Sequence, residues 1–161
     1  IGALGADKGI NYLLQAMSKL RGSKLTLYGR QAEAARASIE AKNVDVYGGY
    51  HSLDEIMPKI SFGVFPSATE GFCIPALECL SYGRPIIISE GAGFAEYVTD
   101  GVNGLVVPRC NVDVLIEGIK YLEANPDVVA SMGKKAYEFS KLLQWDMVEL
   151  EYQKLFGELF S

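Results

Sequence analysis

"FGVFPSATEGFCIPALECLSYGRPIIIS", Phe62 to Ser89, decides the reading of the fold. The stretch opens with a short apolar run and breaks at Pro66 into a small, polar loop. It resumes around Pro75 as a helix, whose first turn suits a proline because no backbone donor is needed there. Gly83 and Pro85 interrupt it again before "PIIIS", the most strongly β-forming run in the chain. Strand, loop, helix and strand make one βαβ unit. Neither strand alternates apolar with polar residues, which suits a parallel sheet covered on both faces.

The same alternation extends on both sides. Upstream, "KGINYLLQAMSKL" puts Ile10, Leu13, Leu14, Met17 and Leu20 on one helical stripe, with Asp7 as the expected N-cap. "KLTLYG" reads as a strand, "QAEAARASIEAK" as an alanine-rich helix, and "VDVYGG" as another strand. "SLDEIMPKI" reads as a short helix capped by Ser52 and bent or ended early by Pro58. Downstream, "FAEYV" is a short helix and "GLVVP" a last strand. From Val112 onward the pattern is helical in three segments, with Trp145 read as a packing residue. The first residues, "IGALG", read as the end of a buried strand in a chain that begins inside a longer protein. The expected architecture is a Rossmann-like, doubly wound α/β fold with a parallel sheet of about six strands and a helical carboxy-terminal tail.

Composition narrows the function. The 161 residues suffice for one domain, and the whole chain, 1–161, is read as one. Twenty acidic against 15 basic residues give a net charge of −5, which disfavours a nucleic-acid partner. Three cysteines without C-x-x-C spacing and a single histidine point away from a disulfide framework and a metal centre. The expected compartment is a reducing cytosol. No apolar run approaches the ~20 residues that span a bilayer.

In a doubly wound sheet, ligands bind outside the carboxyl ends of the strands. That rule selects residues 29–31, 48–51, 66–74, 89–94 and the start near Gly5 to Gly9. In the third of these loops Gly71 allows a tight turn, and the amides near Cys73 and Ile74 open the following helix. Such amides attract an anion, commonly phosphate. Glu70 on the loop and Glu78 in the first helical turns suit vicinal hydroxyls instead. The combination fits a ligand that carries both phosphates and hydroxyls. Taken singly, Glu70 would be a loop charge and Glu78 a favourable charge near a helix N-terminus. The order strand, Pro-Ser, Glu-Gly-Phe, Pro, Glu favours the site.

"PSATEGFCIPALECLSYGRPII" resembles the signature of the large family of retaining glycosyltransferases with the GT-B fold, often called family 4: a glutamate, seven residues, a second glutamate, then "A-x-G-x-P-V". "GAGFAEYVTDGVNGLVVP" is similar to that family's downstream motif, and "DKG" to its "E-K-G". The resemblance covers essentially the whole chain and corresponds to the carboxy-terminal half of the fold. It implies a domain that binds a nucleoside diphosphate sugar, with an acceptor-binding amino-terminal domain of the same protein outside this sequence. Glu70 would position the donor sugar, and Glu78 would bond the ribose. Gly71 and the amides of Phe72, Cys73 and Ile74 would contact sugar and diphosphate. Lys8 would neutralise the departing diphosphate, and the loop at Gly49 would approach the base. No metal or other cofactor is implied. The resemblance suggests a cytoplasmic protein, or one peripheral at the inner membrane face, with membrane contact only through missing regions.

One departure stands out. The family carries an arginine where this chain has Ala3, so Arg30, or else Arg84, is the candidate second cation. That departure keeps open a second class, a non-catalytic nucleotide-sugar-binding or degenerate partner subunit. A third class, a nicotinamide enzyme, rests on "EGAGFAE". There Glu96 stands in the third glycine position, and a glycine turn at the sheet edge explains the stretch better. Cys73 lacks an adjacent base and is read as a core or helix-cap residue. His51 is read as a hydrogen-bonding loop residue.

Overall fold

Two parallel sheets share a layer of helices on one face, and a second layer covers the other face of the three-stranded sheet. The structure is a computed structural model and describes residues 6–29 and 42–160. The first sheet pairs β1 (Leu25–Tyr28) with β2 (Val44–Tyr47). The second runs β3 (Gly63–Phe65), β4 (Ile86–Ser89) and β5 (Gly104–Val107). Thus five strands lie among the described residues. The strand expected at "IGALG", nearly all of the helix expected over 31–42, Arg30 and Ala3 lie outside them.

The helices are α1 (Ile10–Lys19), α2 (Leu53–Ile56), α3 (Ile74–Ser81), α4 (Val112–Ala124), α5 (Pro126–Ser140) and α6 (Trp145–Leu159). Local chemistry sets several of their ends. Asn111 caps α4 by accepting the Val114 amide at 3.1 Å. Pro75 and Pro126 sit in the first turns of α3 and α5. After Ile56 the chain tightens into a 3₁₀ turn, Met57–Lys59, that contains Pro58. Asp7 does not cap α1. It lies in a 3₁₀ turn, Ala6–Lys8, and the cap position belongs to Gly9 at φ 71°. A Cβ on Gly9 would stand 1.9 Å from the Pro66 carbonyl oxygen, so a long-range contact fixes this helix start.

The strand side chains divide between two cores. Ile87 joins Leu13, Met17, Leu27, Val107 and Leu115 in a core that α1 and α4 cover. Ile86 and Ile88 join Met57, Phe65, Leu80 and Phe94 on the opposite face, under α2, α3 and α5. This division follows from the two-residue period of a strand, and it explains why β4 carries isoleucine at three successive positions. The first core reaches Leu27 and Val46, so it unites both sheets beneath a single helical layer.

The tail departs from expectation. Helix α6 buries none of its residues, and Trp145 is 85% exposed rather than packed. No helix among the described residues is long and apolar enough to cross a membrane.

Candidate functional site

The carboxyl end of β3 leads through Pro66 and Ser67 to Glu70. The Ser89 hydroxyl, at the end of β4, donates to the Ser67 carbonyl oxygen. The Glu70 amide donates to Gly91 O at 3.0 Å, and the Gly93 amide returns a bond to Glu70 O at 3.0 Å. Gly91 and Gly93 permit this interlock. A Cβ on Gly91 would come within 2.4 Å of Ala68 O, and one on Gly93 within 2.0 Å of Gly71 O. The "GAG" stretch therefore serves close backbone packing of two loops at the sheet edge.

Glu70 reaches across to Lys8, whose ammonium lies 2.7 Å from the carboxylate; a second acid, Asp7, is 3.6 Å away. The hydrogen bond to Glu70 is the main reason that the Lys8 pKa rises above the ordinary lysine value. The Lys8 turn is itself tied down, because Ala68 N donates to the Asp7 carbonyl at 2.9 Å. The two residues come together from sequence positions 62 apart, and their direct pairing is not readable from local pattern.

Past Glu70, Cys73 holds a left-handed backbone, φ 74°, at the cap position of α3. The amides of Phe72, Cys73 and Ile74 donate to no other backbone group among the described residues. The start of α3 thus keeps free donors and the positive end of its dipole. The Cys73 thiol is buried, and burial pushes its pKa up to about 11. The Cys79 thiol, deeper still, is pushed up to about 12. Both are protonated at neutral pH and unsuited to nucleophilic attack. Phe72 rests edge-on against the buried Phe94, with ring centres 5.1 Å apart.

Glu78 lies one turn into α3 and half-buried, on the outward side of a helix whose Ala76, Cys79 and Leu80 face the core. Neither acid is turned into the interior. Burial raises the Glu78 pKa above the ordinary carboxylate value, and among the described residues no side chain pairs with it.

Across the edge, β1 and β2 end in Tyr28 and Tyr47, stacked 5.2 Å apart with 16° between their planes. His51 meets both rings edge-on, and its Nε2–H donates to Gly48 O at 3.0 Å. Gly49 takes φ 83° in the turn between them. Arg84 is excluded as the second cation. It precedes β4 and lies at the amino end of the sheet, opposite Glu70, with its Nε buried and unpaired. Arg30 lies outside the described residues. Glu96 sits exposed in the 3₁₀ turn Gly93–Tyr97. Among the described residues no group of three His, Cys, Asp or Glu side chains is placed to hold a metal.

The model of the family described as glycosyl transferases group 1 matches residues 1–139. The uncharacterized glycosyltransferase MJ1178 of Methanocaldococcus jannaschii is 31% identical over 99% of this chain and 47% of its own length. Among solved structures, sucrose-phosphate synthase from Thermosynechococcus elongatus superposes with a TM-score of 0.84 at 26% identity. That match covers 97% of this chain and 43% of the synthase. Anabaena Alr3699/HepE, solved in complex with UDP, gives 0.79 at 19% identity over 97% of this chain and 47% of its own. The last likeness bears on the fold alone. This chain spans less than half of each of these proteins, and its fold is that found in GT-B glycosyltransferases. On the match of the family model over most of its length, the chain belongs to the glycosyl transferases group 1 family.

Proposed function

We propose that this chain is the donor-binding half of a retaining glycosyltransferase, and that it holds a nucleoside diphosphate sugar along the carboxyl edge of its sheets. The observation that carries the reading is the Lys8–Glu70 pair beside the open amides of α3. A diphosphate at those amides brings the charge that develops on the leaving group next to a cation. Stabilising that charge lowers the barrier to breaking the anomeric bond. Lys8 supplies the cation, already oriented by Glu70, and no metal is part of the proposal. Glu70 positions the sugar, and Glu78, with no other side-chain partner described, accepts from the ribose hydroxyls. The aromatic end of β1 and β2 lies on the same edge and suits a base. The acceptor site belongs to an amino-terminal domain of the same protein, so this chain alone binds donor and transfers little. The compartment that suits three free cysteines is the cytoplasm.

Calorimetry with UDP, GDP and inorganic pyrophosphate tests the assignment. Lys8→Ala weakens all three ligands by about tenfold, the worth of one charge-assisted contact. Glu78→Ala weakens the two nucleotides by a similar factor and leaves pyrophosphate unchanged. Unchanged nucleotide affinity in the Glu78 variant removes its ribose role. A second reading, a nucleotide-sugar-binding subunit without catalysis, is favoured by Ala3 in place of the family's arginine. Slow hydrolysis of a donor sugar by the full-length protein would exclude it.

A further inference from the structure

The Glu70 carboxylate is bound unevenly. Its Oε2 takes the Lys8 ammonium at 2.7 Å, and the Ser67 hydroxyl donates to that same oxygen at 3.5 Å. Among the described residues no group donates to Oε1. Ser67 is 3% exposed, and Ser89, behind it, 1%. A hydroxyl withdrawn from water costs free energy unless it is bonded. Alanine is of similar size and carries no hydroxyl to satisfy, so packing alone does not call for serine at either place. Here both hydroxyls are bonded, and in series. Ser89, which ends the isoleucine run of β4, donates to the Ser67 carbonyl oxygen. Ser67, two residues past β3, donates to Glu70. Two strand ends are thereby joined to one carboxylate oxygen.

We propose that Ser67 is a positioning residue: it pins Glu70 Oε2, with Ser89 bracing it from β4, and so reserves Oε1 for the ligand. The proposal rests on the donor-binding reading for what Oε1 meets, a hydroxyl of the donor sugar. Lys8 alone does not fix the carboxylate. An ammonium is a point charge on a flexible stem, and a carboxylate held at one oxygen swings about that contact. A second donor at the same oxygen, on a buried side chain tied to the sheet, removes that freedom. The two donors also differ in what the ligand does to them. A diphosphate draws the Lys8 ammonium toward its own charge, whereas Ser67 stays where the strands hold it. At 3.5 Å the serine bond is long for two oxygens. Bonds in an active site are often long before the ligand arrives. Moving Lys8 toward a diphosphate relieves the competition for Oε2 and lets the serine bond close.

Ser67→Ala in the full-length protein separates this role from that of a serine which only stabilises its turn. The kcat for hydrolysis of UDP-glucose or GDP-mannose, whichever the wild type turns over, falls about ten- to a hundredfold, the reach of a ~1 Å misplacement. Affinity for UDP and GDP in calorimetry stays within about twofold, because Lys8 and the α3 amides are untouched. A melting temperature that falls while kcat below it is unchanged overturns the proposal. So does a loss of nucleotide affinity as large as the loss in kcat. Carbon-13 NMR of the glutamate carboxyls reads the contact without turnover. Ser67→Ala shifts the Glu70 signal, assigned by its loss in Glu70→Gln, and leaves that of Glu78 in place. Ser89→Ala shifts it in the same direction and by less. An unmoved Glu70 signal in Ser67→Ala overturns the proposal whatever the kinetics. If the wild type binds neither nucleotide, the donor-binding reading falls and Oε1 loses its assigned partner, while the carboxyl signals still decide whether Ser67 holds Oε2.

Discussion

Two clusters of three rings stand at the carboxyl edge, and they are built differently. Phe72, Phe94 and Tyr97 meet beneath the loop that carries Glu70, with Phe94 fully buried at their centre. Around them the backbone is interlocked through Gly91 and Gly93, where no side chain fits. Tyr28, Tyr47 and His51 cluster at the ends of β1 and β2; there the middle ring, Tyr28, is also buried, but Tyr47 stacked on it is 45% exposed. Among the described residues, only the strand pairing, the Gly29 amide bond to Tyr47 O and the His51 bond to Gly48 brace that group. The first cluster is a foundation that fixes where the Glu70 loop and the α3 amides point. The second presents an open aromatic face. Chemistry common to a family belongs on a rigid support, and recognition of a variable ligand part can rest on a softer one.

The sharpest way to break the contrast is Phe94→Ala. Emptying a fully buried aromatic site costs about 3–5 kcal/mol, read as a lowered midpoint in urea unfolding. Where the variant still folds, nucleotide affinity falls as well, because the Glu70 loop loses the ring beneath it. An equal loss of affinity for pyrophosphate and for UDP is expected, since the damage is to the shared anion site. Tyr47→Ala should behave in the opposite manner. A half-exposed stack contributes about 1 kcal/mol or less, so stability barely moves. Affinity for UDP and GDP then falls while that for pyrophosphate holds. If pyrophosphate binding falls too, the two clusters are not separable and the contrast fails.

Much of this arrangement was legible in the residues, because the strands and helices from Phe62 onward are set by local punctuation. Pro66, Pro75, Gly83 and Pro85 mark the boundaries of β3, α3 and β4 within a residue or two. The unbroken isoleucines of β4 signalled burial on both faces, and Ile86, Ile87 and Ile88 divide between the two cores. What escaped was long-range. Asp7 fits the pattern of an N-cap, yet the close approach of Gly9 to Pro66 decides how α1 begins. Arg84 is a cation near the motif in sequence, but a parallel sheet puts it at the wrong end. The glycines of "GAG" suggested a turn, and only the packing against Ser67, Ala68 and Gly71 shows why no other residue serves. Trp145 fits an amphipathic helix, yet α6 finds no surface to cover among the described residues. Hydrophobic periodicity reports that a face wants burial and says nothing of what buries it.

The smallest effect falls at Glu78, on α3. Burial disfavours its ionised form, so its pKa in the folded chain lies above the unfolded value. The folded state then binds the proton more tightly. Above the folded pKa the buried charge costs stability, and that cost is relieved as pH falls through the folded pKa toward the unfolded one. Glu78→Gln should therefore raise the melting temperature slightly at pH 7. The gain should shrink on acidification and vanish below the ordinary glutamate range, where wild type is protonated in both states. The same variant should bind nucleotide less well at pH 7, since a neutral amide is a weaker acceptor for ribose hydroxyls. Stability gained together with affinity lost is the signature of a carboxylate kept for a ligand at the expense of the fold. A melting difference that is flat with pH would mean that the Glu78 carboxylate is as well solvated as in the unfolded chain. Its half-buried place on α3 would then carry no cost for a ligand to repay.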